Sequence, residues 1–188
     1  MLYDADTGKR VKEPFNHVTW VHSLLRLPDF NLRQCFFGEH LLPMNRGKPV
    51  AIVESEKTAL VAAYYLPEYV WLASGGKNGC FNTDALLVLK GRQVILYPDI
   101  GATDQWQQKL TQLHNLDIEA SIFNFLEEVA TDNEWTAGLD IADYLLQIEP
   151  DQAVLQSMIR RNPMLQKLID DLQLTLVSVE MYDPDTDA

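Results

Sequence analysis

Glu54 and Asp99, forty-five positions apart, each close an apolar run, and a carboxylate so placed can hold a cation. The segment Pro49–Ala63 (PVAIVESEKTALVAA) is apolar through Val53, ends on Glu54 and passes at once into a helix-like pattern. A second run, Gln93–Tyr97 (QVILY), ends on Pro98-Asp99. An acid at the carboxyl end of a buried strand stands where open α/β sheets take their ligands. Magnesium keeps several waters and takes one or two carboxylates plus substrate phosphates, so two such acids suit chemistry on phosphates.

Each acid also has a plainer use. Glu54 can cap the helix starting near Ser55, where negative charge is worth about 0.3–1 kcal/mol, and Ser55-Glu56-Lys57-Thr58 forms a second capping pattern. Asp99 can cap a helix beginning near Ala102, with Asp104 in its first turn. Gly75, Gly76 and Lys77 offer backbone N–H groups and one cation to a phosphate, or form an ordinary turn with a solvated lysine. His17, His22 and His40 have no metal-ligand spacing, and Glu39-His40 reads as structural. Trp20, Trp71, Trp106 and Trp135 read as core or lobe contacts rather than base-stacking platforms.

The elements that must position these groups follow from the hydrophobic pattern. Residues 1–13 read as a hairpin around Asp6-Thr7-Gly8-Lys9, and Lys9, Arg10 and Lys12 form the one compact basic cluster. Because the chain opens directly in this strand, a fragment or shortened form of a longer protein is expected. His17–Leu25 and Asn31–Phe37 are short aromatic pieces of a small N-terminal lobe over 1–47. From Lys48 strands alternate with helices: strands Val50–Val53, Val70–Ala73, Val94–Tyr97 and Ile118–Phe123, helices Ser55–Tyr65, Thr83–Leu89 and Ala102–His114. That alternation implies a mostly parallel sheet over 48–148. Helices Ile141–Ile148, Gln152–Arg161 and Leu165–Leu172 follow, then a late strand Leu174–Val179 and an acidic tail, the last four within an extension over 149–188.

With 188 residues, 47% of them hydrophobic, the chain can bury one core with a small appendage. No run approaches the roughly 20 apolar residues of a membrane span. Cys35 and Cys80 suggest free thiols in a reducing cytoplasm rather than a disulfide framework or a zinc ribbon. The net charge of −12 argues against long-range attraction to DNA or RNA. Metal ions, a basic partner or a further segment would have to supply it.

Four motifs in order over 48–148 resemble those of TOPRIM domains of the primase type. Val53-Glu54-Ser55-Glu56-Lys57-Thr58-Ala59 is similar to the first motif, where a strand-end Glu leads into a helix. Leu72-Ala73-Ser74-Gly75-Gly76 resembles the glycine turn, and Leu96-Tyr97-Pro98-Asp99-Ile100-Gly101 stands in the place of the Asp-x-Asp motif. Gly138-Leu139-Asp140-Ile141-Ala142-Asp143-Tyr144-Leu145 is similar to the later acidic motif of primases. The upstream stretch, with TGKR, WVHS and FGEHLL, resembles primase-like proteins of mobile elements of Bacteroidetes, which often carry a zinc module ahead of this region.

The resemblance implies an α/β, TOPRIM-like Rossmannoid domain with a small N-terminal α+β lobe and C-terminal helices. It implies a magnesium- or manganese-dependent nucleotidyl or phosphoryl transfer in DNA replication or mobilisation. The partners would be DNA, an RNA primer, nucleotides and a replication protein. Carried over, Glu54 is a metal ligand or general acid/base and Asp99 a metal ligand, with Lys57, Gly75, Gly76 and Lys77 on phosphate. The second Asp of the pair is Gly101 here, so the site is one ligand short. Asp104, or Asp140 and Asp143, compensates, or the module binds nucleic acid or a partner protein without catalysis. A TOPRIM-type nuclease would use the same acids and needs no nucleotide site.

Overall fold

The computed structural model describes residues 2, 4–7, 11–76 and 79–179, and the chain divides into two compact units, Met1–Gln34 and Cys35–Ala188. In the first, one short helix, α1 (Val21–Leu24), is the regular element among the described residues, and none of those residues is buried. Of the expected hairpin over 1–13, positions 1, 3 and 8–10 lie outside the described residues, and with them Lys9 and Arg10 of the basic cluster. The rest is a turn, in which the Thr7 amide and hydroxyl both donate to Asp4 Oδ1 (2.8 and 2.7 Å), with no strand assigned. His22 stacks on Phe30 at 4.6 Å and His17 lies against Phe15 at 4.2 Å, so both rings make aromatic contacts.

The second unit is built on four strands, β1 (Val50–Val53), β2 (Val70–Ala73), β3 (Val94–Leu96) and β4 (Ala120–Ile122), in the order β2-β1-β3-β4 and all parallel. β1 and β2 are buried at every position, as strands covered on both faces must be, and both read as unbroken apolar runs. The period of two sorts their side chains into two cores. Val50, Ile52, Val70, Leu72, Val94 and Leu96 face one way; Ala51, Val53, Trp71, Ala73 and Tyr97 face the other.

Helices cover both faces. α2 (Glu56–Tyr65) begins where Ser55 caps the Thr58 amide and ends ahead of Pro67. α3 (Thr83–Leu86) runs into a single 3-10 turn over 87–89. α4 (Thr103–Asn115) buries Trp106, Leu110 and Leu113, one stripe at helical spacing, in the first core. α5 (Phe125–Val129), α6 (Asp132–Ala137) and α7 (Ile141–Leu145) follow β4. Leu126, Ile141 and Leu145 join Ala59, Ala62 and Tyr65 of α2 in the second core. α8 (Pro150–Arg161) adds Ala153 to it, and α9 (Met164–Leu172) buries none of its residues.

The α/β architecture with a mostly parallel sheet and flanking helices is therefore as expected. Three local differences have physical causes. Residues 35–47 belong with the sheet, because Phe36 and Leu42 are core residues and Phe37 bridges to Ala73. Ile118–Phe123 shortens to β4, an outer strand paired on one side only. Leu174–Val179 is not a strand: it has alternating β-forming residues but no paired neighbour in the sheet.

The loop entering β1 is clamped from one side chain. Arg92 donates to the carbonyls of Leu42 (3.2 Å), Asn45 (2.7 Å) and Lys48 (2.7 Å). A lysine ammonium is a point donor and cannot span three carbonyls as the guanidinium fork does. Arg92→Lys is expected to lower stability by about 1–2 kcal/mol, seen as a fall of several degrees in a thermal melt. An unchanged melt would mean that the loop holds its shape without the clamp.

Candidate functional site

The site lies where the strand order reverses. From β1 the chain goes out to β2 on one side and returns to β3 on the other, so β1 and β3 are neighbours with a topological switch between them. Glu54 is the first residue after β1, and Asp99 follows β3 by three positions. Ile52 pairs with Leu96, which sets the two acids side by side at the carboxyl edge of the sheet.

Their side chains are in contact. Burial, above all, pushes the Asp99 carboxyl up to about 7; the charges of Glu54 and Asp140, a hydrogen bond with Glu54 and the charge of Asp143 add to it. Burial and the neighbouring acids thus keep the Asp99 carboxyl protonated up to about neutrality.

Asp140 and Asp143 lie close enough to act on Asp99, but their oxygens are engaged in folding. Asp140 caps α7: its Oδ1 accepts from the amides of Ala142 (2.8 Å) and Asp143 (3.2 Å), and its Oδ2 from the Thr58 hydroxyl (2.5 Å). Asp143 Oδ2 accepts from the Asp140 amide (2.9 Å), which completes a capping box. Lys57 Nζ stands 3.5 Å from Asp140 and 3.8 Å from Asp143. The expected metal ligands Asp140 and Asp143 are thus helix caps with a counter-ion, and Lys57 is that counter-ion rather than a free phosphate contact. Asp104 is exposed in the first turn of α4 and makes no hydrogen bond or ion pair with Glu54 or Asp99.

The glycine turn is similarly committed. The amides of Gly75 and Gly76 donate to the Glu54 carbonyl (3.1 and 3.0 Å), so this turn fixes the backbone at Glu54 rather than offering its donors to phosphate. Lys77 lies outside the described residues. Among the described residues, no three His, Cys, Asp or Glu side chains are gathered closely enough to hold a metal ion by themselves.

Two residues at the site give no signal in the local sequence. Glu127 Oε1 accepts from the amides of Gly101 (2.8 Å) and Thr103 (3.1 Å), capping α4 where Asp99 was expected to do so. The side chain of Asp99 faces Glu54 instead. Trp135 covers Gly101, whose φ of +85° is the left-handed region that favours glycine. The missing second acid thus has a backbone reason, because any other residue at 101 would be strained by about 1–2 kcal/mol.

The model of one protein family, described as a domain of unknown function (DUF6371), matches residues 1–100. The chain belongs to this family. The DUF6371 match takes in β1, β2, β3 and both strand-end acids, and ends before Asp140 and Asp143. No curated protein and no solved structure matches the chain. No helix among the described residues is long and apolar enough to cross a membrane.

Proposed function

We propose that this protein is a TOPRIM-like, primase-like enzyme that performs magnesium-dependent nucleotidyl or phosphoryl transfer in DNA replication or mobilisation. One observation carries the reading: Glu54 and Asp99 meet side by side at the switch point of a parallel sheet, close enough that Glu54 helps to raise the Asp99 carboxyl. An acid-rich place that raises a carboxyl to about 7 favours a cation, which would displace the proton. Two carboxyls are too few for an all-protein cage, yet they are what magnesium takes when phosphates and waters complete its shell. The residues present therefore fit magnesium or manganese held by Glu54 and Asp99.

A metal held there would offset the negative charge that develops on phosphoryl oxygens. The chain contributes the rest. Glu54 is held by the Gly75 and Gly76 amides on its carbonyl, so its carboxyl is set by backbone rather than by a mobile loop. Once Asp99 is ionised, Glu54 is the acceptor for a proton leaving an attacking hydroxyl.

A second reading, a module that binds nucleic acid or a partner protein without chemistry, is favoured by Gly101 and by Lys57, which neutralises the later acids. Calorimetry with magnesium and with manganese separates the two. The wild type is expected to bind in the millimolar range or tighter, and Glu54→Gln and Asp99→Asn to lose binding. Primer synthesis and nuclease assays then distinguish the two enzyme classes. A wild type that binds neither metal overturns the catalytic reading.

A further inference from the structure

Trp135 was expected to be a core or lobe contact, and it is exposed. Trp71 and Trp106 are 3% and 0% exposed, whereas Trp135 keeps 44% of its surface open. Its six-membered ring lies on the loop that carries Asp99: a methyl group placed on Gly101 would stand 3.5 Å from Cζ3 and 3.8 Å from Cε3 of the indole. An aromatic surface therefore lies on the backbone two residues beyond Asp99.

The position is held firmly. α6 opens on a capping box between Thr131 and Glu134, the residue before Trp135, and closes on Gly138. The Ile100 amide donates to the Leu139 carbonyl at 2.9 Å, tying the Asp99 loop to the chain just beyond the helix. The Glu127 carboxylate fixes the other side of the loop through Gly101 and Thr103. A half-open indole fixed on this backbone beside the two acids offers a flat apolar group a surface to stack on.

We propose that Trp135 is the specificity-determining residue of this site, its indole stacking on the base of a nucleotide whose phosphates meet the metal held by Glu54 and Asp99. The proposal rests on the reading of those acids as a metal site. Charge supports it: at a net charge of −12 the protein gains little from the polyphosphate itself, so affinity must come from the metal and from contacts indifferent to charge. Base–aromatic stacking is such a contact, and its loss lowers affinity by roughly ten-fold.

The test compares ATP with inorganic triphosphate, each titrated calorimetrically in excess magnesium. Wild type is expected to bind ATP roughly ten-fold more tightly than triphosphate. Trp135→Ala is expected to bring ATP down to the triphosphate level and leave triphosphate unchanged, while Trp135→Phe retains most of the preference. Equal binding of the two ligands by wild type overturns the role of Trp135 and leaves the metal site standing. An equal fall for both ligands in Trp135→Ala overturns it as well, by showing that the indole merely holds the loop. Failure of wild type to bind either ligand overturns the metal reading and this proposal together.

Discussion

Asp99→Asn is expected to stabilise the fold at pH 8, and by only about a third as much at pH 5, while abolishing magnesium binding. The sign follows from the direction of the shift. The Asp99 carboxyl stands at an ordinary value of 3.8 when unfolded and at about 7 in the fold, mainly through burial and then through Glu54. Between those values the native state holds a proton that the unfolded chain has released, so stability falls as pH rises through the window. Below 3.8 the penalty is absent, and above 7 it is fully present. Taken whole, the interval corresponds to about 4 kcal/mol. Solvent screening of a carboxyl that is only part-buried brings the expectation to about 2 kcal/mol. An asparagine keeps a donor for Glu54 and carries no charge to repel, so it escapes the penalty. Thermal melts should show the variant several degrees above wild type at pH 8 and above it by a clearly smaller margin at pH 5. Added magnesium should raise wild type at pH 8 and leave the variant where it was. A difference independent of pH would mean that Asp99 titrates in its ordinary range, and that the acids do not press on one another.

Such a trade of stability for charge is what a binding site does and a cap does not. Asp99 read as a cap would face its own helix amides, lower its pKa and stabilise α4. In the structure Glu127, more than twenty residues later, takes that work through the Gly101 and Thr103 amides. Asp99 is left to face another acid, with no folding benefit of its own. The strain at this edge of the sheet is thus concentrated in the two carboxyls that the functional reading needs.

The strands and their terminal acids were legible because a buried parallel strand needs an unbroken apolar run, and a charge can only come where that run stops. Glu54 and Asp99 mark those stops directly. Their adjacency was not legible, since it depends on β3 pairing with β1 rather than with β2, a choice made by the crossovers and not by any local pattern. Asp140 and Asp143 misled for the opposite reason. Two acids three positions apart at a helix start satisfy the requirements of a capping box as well as those of an acidic motif, and the structure uses them as the former. Leu174–Val179 had the residue types of a strand but no partner, and β-propensity without cross-strand neighbours has little to act on. Trp135 gave no signal, because the glycine it covers lies thirty-four residues earlier.

The largest loss of stability is expected at Asp140, and it should not depend on metal. In Asp140→Ala the Ala142 and Asp143 amides lose their acceptor, the buried Thr58 hydroxyl loses its carboxylate and keeps only the Ser55 hydroxyl (2.9 Å), and Lys57 keeps only Asp143. Loss of a helix cap removes about 0.5–2 kcal/mol, and loss of a hydroxyl's hydrogen bond to a charged acceptor removes about 1.5–3 kcal/mol. Together they predict a fall of about 2–4 kcal/mol, on the order of 10 °C in Tm. The pH dependence adds a check. At pH 8 removal of the Asp140 charge relieves Asp99, which offsets part of the loss; at pH 5 Asp99 is already protonated and nothing is relieved. The destabilisation should therefore be greater at pH 5 than at pH 8, and the same with or without magnesium at pH 5. Were Asp140 instead a ligand, the variant would melt near wild type without metal and differ only when magnesium is added. The two patterns cannot be confused, so one set of melts decides whether the later acids build the fold or fill the site.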